Sequence, residues 1–261
     1  ARSVAELTPQ IEKTIFYESY DFTNDSYLRR AVLIAGEDQG YTGDNAYNYA
    51  DPAMDYIAKT YVNAANGYSD VKYYKNNTTF APAGVTVTGS SLTSATAATL
   101  RNLYNTGIGW VNYSAHGYDD EWSTPSFNTR NAAAMTNYGM PSIMIGNCCL
   151  SGKFNTTYSD KCLGEALLQR ERNAGAVAYF GGTNSTYWPH DFCWSVGVRS
   201  NIANTMDANY VPGYLGMYDR LFHTHSENHS AWHISAGAMT MAGNMAVEQY
   251  GSYAQYYWEI Y

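Results

Sequence analysis

Positive charge and cysteine are both scarce in this chain, and long hydrophobic runs are missing. The 261 residues include 15 Lys and Arg against 23 Asp and Glu, which gives a formal net charge of −8 at pH 7. A partner bound through a phosphate backbone needs the opposite balance, so we expect no nucleic-acid binding. No apolar stretch of about 18 residues occurs, so the sequence also predicts no membrane-spanning helix.

The cysteines are too few for a disulfide framework in a chain of this length; they are Cys148, Cys149, Cys162 and Cys193. Cys148 and Cys149 are also poor partners for each other, because a disulfide between adjacent residues strains the backbone. A metal site or a nucleophile with a neighbour therefore remains open for this pair.

What the chain has in abundance is tyrosine. It contains 26 Tyr and 6 Trp, with 45% hydrophobic and 15% charged residues. This composition is that of a folded protein rather than a disordered tail. Aromatic side chains with a polar tip suit a secreted protein or one that binds peptides or glycans.

Apolar runs alternate with helical periodicity along the chain, which predicts a single α/β domain with a largely parallel sheet covered by helices on both faces. The predicted strands span 30–36, 70–74, 107–115, 141–147 and 175–181. The predicted helices span 45–64, with Pro52 in the first turn, 91–104, 128–137 and 163–173, and the chain is mostly helical from 191. A helix is also predicted at the very start, over 1–7.

Three of the predicted strands end in reactive side chains. Asp38 follows the first strand, His116 the third, and the pair Cys148 and Cys149 the fourth. Ligands of such sheets bind beyond the carboxyl ends of the strands, so these groups should meet at one edge. The convergence of a carboxylate, an imidazole and a thiol predicts that one of the two cysteines is a nucleophile.

Each of these residues has a definite role in that chemistry. His116 would lower the pKa of the thiol and then protonate the leaving amine, and Asp38 would orient the imidazole. Gly117 leaves its backbone N–H unobstructed, so this group and the N–H of the attacking cysteine could form an oxyanion hole. Taken singly, a strand-end histidine is more often structural, a buried cysteine is usually inert, and Asp38 could be a loop cap.

A second group of residues could bind zinc. The spacing of His223, His225, His229 and His233 allows a metal site, particularly if His229 and His233 lie one turn apart on a helix. No acid follows His229 in the metalloprotease arrangement, which favours structural histidines over ligands.

Several segments resemble the gingipains, secreted cysteine peptidases of Bacteroidetes bacteria, and the lysine-specific type more than the arginine-specific one. They are Asn112-Tyr-Ser-Ala-His-Gly117, Ile145-Gly-Asn-Cys-Cys149, Cys162-Leu-Gly-Glu165 and Ser185-Thr-Tyr-Trp188. The resemblance implies a caspase-like fold, a mostly parallel sheet flanked by helices. It also selects Cys149 as the nucleophile, with His116 and Asp38 completing the catalytic group.

The same resemblance assigns a substrate site and a metal site. It places Asp191 opposite the lysine side chain that precedes the cleaved bond (P1), in a slot lined by Tyr187, Trp188, Asn147 and Ser114. From the residues alone, Asp191 could equally be a helix cap. Calcium, bound by relatives, would meet Glu165 and the carbonyl of Phe154, although the other ligands of that site come partly from the region that this chain lacks.

The resemblance also bears on organisation and location. The smaller N-terminal subdomain and the immunoglobulin-like domain of the family have no counterpart in these residues, so we expect 1–261 to be one catalytic subdomain that acts with such a subdomain or a second processed chain. We expect a secreted or cell-surface endopeptidase that cleaves proteins after lysine without a catalytic cofactor. The alternatives, in order, are a peptidase with another P1 preference, which Pro189 and His190 before Asp191 suggest, a catalytically silent adhesin or binding module, and a zinc hydrolase.

Overall fold

The computed structural model describes residues 1–38, 49–75, 84–88, 96–198, 210, 213 and 215–251. The strands in this part of the chain are β1 (Arg30–Ala35), β2 (Asp70–Tyr74), β3 (Val85–Thr88), β4 (Trp110–Ser114), β5 (Gly117–Tyr118), β6 (Glu121–Ser123), β7 (Ser126–Asn128), β8 (Ser142–Asn147) and β9 (Ala176–Gly181). Six of them form a parallel sheet in the order β3-β2-β1-β4-β8-β9, and β5, β6 and β7 form a small antiparallel sheet.

Helices lie on both faces of the large sheet. They are α1 (Val4–Glu18), α2 (Asp51–Thr60), α3 (Ala97–Asn105), α4 (Thr129–Ala133), α5 (Leu163–Leu168), α6 (Trp188–Val196), α7 (Met217–Leu221) and α8 (Ala236–Tyr250). No helix in the described ranges combines the length and the apolar character that crossing a membrane requires.

Strand β1 shows why both faces are covered. Leu33 packs into a hydrophobic cluster with residues of α2, α6, α7 and α8, whereas Val32 and Ile34 pack into a second cluster with residues of α3, α4 and α5. Alternate side chains of a strand point to opposite faces, so an uninterrupted apolar run needs a core on each side. The predicted α/β architecture is confirmed.

The five predicted strands are all present, and α2 begins with Pro52 in its first turn as predicted. The helix predicted over 163–173 ends earlier, at Leu168, and the backbone is left-handed at Arg172 and Asn173, with φ of 60° and 53°. The predicted helical residues 45–48 and 91–95 lie outside the described residues. Strand β3 and the β5–β7 sheet were not predicted, because strands of two to four residues are too short to show a periodicity.

Lys13 fastens α1 to the body of the domain. Its ammonium group is buried and donates to the carbonyl oxygens of Leu168, at 3.0 Å, and Ala176, at 2.9 Å. These bonds satisfy the C-terminal end of α5 and the start of β9. Burial lowers the pKa of Lys13 to about 7, so the charge is held there at an energetic cost.

A buried ion pair lies just after β2. The Lys75 ammonium donates to both carboxylate oxygens of Asp55 on α2, at 2.7 and 2.9 Å, and the Tyr73 hydroxyl donates to one of them at 2.7 Å. Burial raises the pKa of Asp55, although the bonds from Lys75 oppose that shift. Loss of one member of such a pair leaves the other charge unpaired in the core.

We therefore expect Lys75→Met to lower the free energy of unfolding by about 3–5 kcal/mol. A matched control is available in Lys72, whose pair with Asp70 is partly exposed on both sides. Lys72→Met should cost no more than about 1 kcal/mol. Urea unfolding of both variants measures the difference, and equal losses would contradict this interpretation of the buried pair.

Candidate active site

The edge of the sheet is where the predicted catalytic residues meet. In β1, β4 and β8, which are neighbours, Ala35 lies beside Ser114 and Ser114 beside Asn147. Each strand ends there, so Asp38, His116 and Cys149 all follow within three residues of one line across the sheet. The predicted convergence of the three strand ends is confirmed.

His116 and Asp38 form a direct pair. The distance between His116 Nε2 and Asp38 Oδ1 is 2.6 Å. The carboxylate side chain is only 1% exposed and the imidazole 30% exposed. A carboxylate on Nε2 favours the tautomer with a proton there, which makes Nδ1 the nitrogen that would accept a proton.

Neighbouring residues hold this pair in place. The Tyr113 hydroxyl donates to the His116 carbonyl at 2.6 Å, and the Thr124 hydroxyl donates to the Glu37 carbonyl at 2.8 Å. Gly36 lets the two segments approach, since a Cβ atom there would lie 2.3 Å from both Ala115 Cβ and the Thr124 carbonyl oxygen. The turn after β1 is thus bonded to the β6–β7 turn, which keeps Asp38 in position.

The two adjacent cysteines occupy different environments. Cys148 is fully buried and its Sγ donates to Ser151 Oγ at 3.3 Å, and burial raises its pKa well above the usual range. Cys149 is half-buried, so a substrate can reach it, and burial raises its pKa as well. All four cysteines are free thiols. Exposure therefore favours Cys149 over Cys148 as the reactive thiol.

Gly117 brings the strand-end histidine next to the cysteine turn. A Cβ atom on Gly117 would lie 2.6 Å from Cys148 Sγ and 2.8 Å from the Cys149 carbonyl oxygen, so no larger residue fits between the two segments. The backbone of β5 therefore runs in contact with the turn after β8, as the predicted oxyanion site requires.

Asp191 is the acidic residue of the predicted substrate slot, and it lies in the first turn of α6. Its side chain is nearly inaccessible, and one carboxylate oxygen accepts a bond from the Thr186 hydroxyl at 2.9 Å. Its negative charge contributes, after burial, to the raised pKa of Cys149. The predicted selector and the predicted nucleophile are thus close enough to interact electrostatically.

The other predicted slot residues have distinct positions. Asn147 is buried, and its amide donates to the Asp191 carbonyl at 2.8 Å and to Ser195 Oγ at 2.6 Å, so it anchors α6 to the end of β8. The Trp188 ring packs edge-on against His116, with centroids 5.3 Å apart. Tyr187 is exposed, and Ser114 is buried at the end of β4.

His190 was expected to alter this slot. Its ring packs edge-on against Tyr187 and Tyr250, with centroids 6.0 and 5.4 Å away. The His190 imidazole is thus packed between the rings of Tyr187 and Tyr250.

Thr186 is the residue of this region to which the sequence assigned no role. Its N–H donates to Cys149 Sγ at 3.3 Å, and its hydroxyl donates to Asp191. The only signal in the sequence was its place directly before Tyr187 and Trp188.

Phe154 and Glu165, the predicted calcium ligands, line one pocket together with Gly152, Cys162 and Tyr179. One Glu165 oxygen already accepts the Cys162 N–H at 3.0 Å and caps α5. Calcium takes six to eight oxygen ligands, and Glu165 is the one carboxylate among the described residues of this lining. These residues supply part of a calcium site, so calcium stays a prediction and no chemistry is assigned to it.

Each of the four histidines of the possible zinc site contacts other groups of the described residues, and His223 and His229 both pack against Trp232. His223 stacks on Trp232 at 3.9 Å, and His225 stacks on Tyr210 at 3.6 Å. The helix predicted to carry His229 and His233 is wrong, because a three-residue 3-10 helix ends at Ala231 and Trp232 is extended. Across the part of the chain that the structure describes, no three His, Cys, Asp or Glu side chains are grouped to hold a metal ion.

Comparison with known sequences places the chain in a family. The model of peptidase family C25 matches residues 1–261. Lys-gingipain of Porphyromonas gingivalis is 32% identical over the whole chain, which spans 14% of that relative. Gingipain R2 of the same organism is 28% identical over 71% of the chain, which is 23% of its own length.

Solved structures agree with this assignment. A solved structure described as the structure of a protease matches with a TM-score of 0.77 at 29% identity. The match covers 99% of this chain and 52% of the chain in that structure. The Arg-specific cysteine proteinase gingipain R has a TM-score of 0.64 at 20% identity, and covers 100% of the chain and 51% of its own. The latter similarity confirms the caspase-like fold. The chain belongs to peptidase family C25 and is a relative of the gingipain cysteine peptidases.

Proposed function

We propose that the chain is the catalytic unit of a cysteine endopeptidase that hydrolyses peptide bonds after lysine. The observation that carries this proposal is a reachable thiol, Cys149, at the sheet edge that also carries the His116–Asp38 pair, with the buried carboxylate of Asp191 beside it. A nucleophile, an oriented base and an anionic side-chain site are the three elements of a peptidase selective for a basic residue.

These positions support the following reaction. His116 Nδ1 takes the proton of the Cys149 thiol, and the thiolate attacks the carbonyl carbon of the scissile bond. The backbone N–H groups of Gly117 and Cys149 would stabilise the oxyanion that forms. His116 then passes its proton to the leaving amine, and a water molecule activated by the same imidazole hydrolyses the thioester. Asp38 stabilises the imidazolium in both steps.

Asp191 supports the choice of a basic P1 residue. A lysine stem would pack against Trp188 while its ammonium group pairs with the buried carboxylate. Arginine carries the same charge, and one solved relative is described as an Arg-specific cysteine proteinase. We favour lysine because Lys-gingipain matches the whole chain whereas Gingipain R2 matches 71% of it.

We also propose protein substrates and a secreted or cell-surface location, as the similarity to gingipains supports. An N-terminal subdomain or a second processed chain is the proposed partner. A solved relative is a complex of gingipain pro- and mature domains, which supports such a partner.

The first test is hydrolysis of fluorogenic peptides with Lys, Arg, Asp or Leu at P1 under reducing conditions. The intact protein should cleave after Lys, and Cys149→Ala should lose at least about 1,000-fold in kcat because the nucleophile is gone. Cys148→Ala is the matched control and should keep its activity, since that thiol is fully buried. A folded protein that cleaves none of the peptides would favour the binding-module alternative.

A second test concerns the charge of Asp191. Asp191→Asn should lower kcat/KM for the Lys peptide by about 100-fold or more, because the ammonium loses a buried partner. The same change removes a negative charge that disfavours the thiolate, so the pKa of Cys149 should fall. Alkylation by iodoacetamide should then be faster at neutral pH and its pH profile should move to lower pH. An unchanged profile would show that Asp191 does not act on the thiol.

A further inference from the structure

Thr186 contacts both the nucleophile and the side-chain selector. Its N–H donates to Cys149 Sγ at 3.3 Å, and its hydroxyl oxygen lies 3.7 Å from the same sulfur. That hydroxyl also lies 2.9 Å from Asp191 Oδ2. One residue, in the loop between β9 and α6, therefore joins the two groups on which cleavage and selection would depend.

A hydroxyl group has one proton to donate, so Thr186 cannot serve both acceptors at once. A charged acceptor receives the stronger bond. In the structure the hydroxyl donates to Asp191, while the Cys149 thiol can donate to the Thr186 carbonyl oxygen, 3.6 Å away. This arrangement suits a neutral thiol beside a charged carboxylate.

A bound cation would change which acceptor the Thr186 hydroxyl bonds. An ammonium group paired with Asp191 offsets the negative charge of the carboxylate and competes with the Thr186 hydroxyl as a donor to its oxygens. Rotation about one side-chain bond then turns the Thr186 hydroxyl toward the sulfur, where it joins the backbone N–H as a second donor. Two donors on a sulfur stabilise the thiolate, which can only accept hydrogen bonds.

We propose that Thr186 couples the binding of a P1 lysine ammonium at Asp191 to ionisation of the Cys149 thiol. The coupling deepens the proposed function and rests on it, and it makes Thr186 a positioning residue rather than a catalytic one. The thiol proton passes to His116, so no other reactant is needed. The nucleophile would be kept protonated until a substrate with the correct side chain occupies the slot.

The electrostatics of the neighbourhood agree with this arrangement. Burial raises the pKa of Cys149, the Asp191 charge raises it further, and the hydrogen bond from the Thr186 N–H lowers it. Among the described residues, the titratable groups nearby include Cys148 in the same turn and the His116–Asp38 pair after β4 and β1. A cation that pairs with Asp191 removes one opposing contribution and releases a donor for the sulfur.

The experiment uses n-butylammonium, a mimic of the lysine side chain, as the probe. Iodoacetamide alkylation of Cys149 is followed across pH with and without butylammonium, with NaCl matching the ionic strength and 1-pentanol as the uncharged control. At pH 7 the cation should speed alkylation of the intact protein by about three- to tenfold, a shift of up to about one pH unit. The alcohol should not speed it.

Three variants isolate the Thr186 hydroxyl. Thr186→Val keeps the shape and the backbone N–H, and it should lose most of the response to the cation; Thr186→Ser should keep it. In Asp191→Asn, alkylation of Cys149 should be fast without the cation, and adding the cation should not change its rate. In peptide hydrolysis, Thr186→Val should lower kcat for the Lys substrate by about tenfold with KM little changed, because Asp191 still binds the ammonium.

A full cation response in Thr186→Val would overturn the coupling, whether or not that variant is less stable to heat. An intact protein that cleaves after lysine but shows no response also overturns it, while the proposed function stands. An intact protein that cleaves none of the peptides overturns the proposed function itself. Thermal unfolding of Thr186→Val and Thr186→Ser in parallel verifies that both variants are folded.

Discussion

The hydrogen-bonded register of three parallel strands is the constraint on which the site depends. Because β1, β4 and β8 are neighbours and end on one line, the segments after them emerge together. Parallel strands share the direction of their carboxyl ends, so short extensions of each strand bring Asp38, His116 and the cysteine turn to one edge. A register shift of one residue in β4 would turn every side chain of that strand to the opposite face and separate these groups.

Burial sets the chemical character of this edge. Removing water favours the neutral form of a thiol, and the pKa values of Cys148 and Cys149 both rise for that reason. Cys148 fills space beside Ser151, whereas Cys149 is half-buried and accepts a hydrogen bond from the Thr186 N–H. A nucleophile in such a place needs partners that stabilise its anion at the moment of reaction. The proposed coupling through Thr186 would decide when Cys149 carries a negative charge.

The small antiparallel sheet, β5 to β7, holds two segments of the candidate site in position. Its first strand places Gly117 against the cysteine turn, and the turn between β6 and β7 holds the segment that carries Asp38 through Thr124. Tyr113 ties the same region to the His116 carbonyl. These contacts thus hold in place the segments that carry the proposed catalytic residues.

Local patterns along the chain were enough to predict the alternating architecture, the five principal strands and the reactive side chains at their ends, because buried strands require continuous apolar runs. They could not reveal β3, the short antiparallel strands or the early end of α5, where periodicity is too brief or is overridden by the backbone. The resemblance assigned Asn147 to the slot lining, and the structure adds that its amide anchors α6. The sequence assigned no role to Thr186, whose partners Cys149 and Asp191 it meets through the fold. The sequence alone gives the type of side chain at each position. Which side chains come within hydrogen-bonding distance depends on strand register and helix packing.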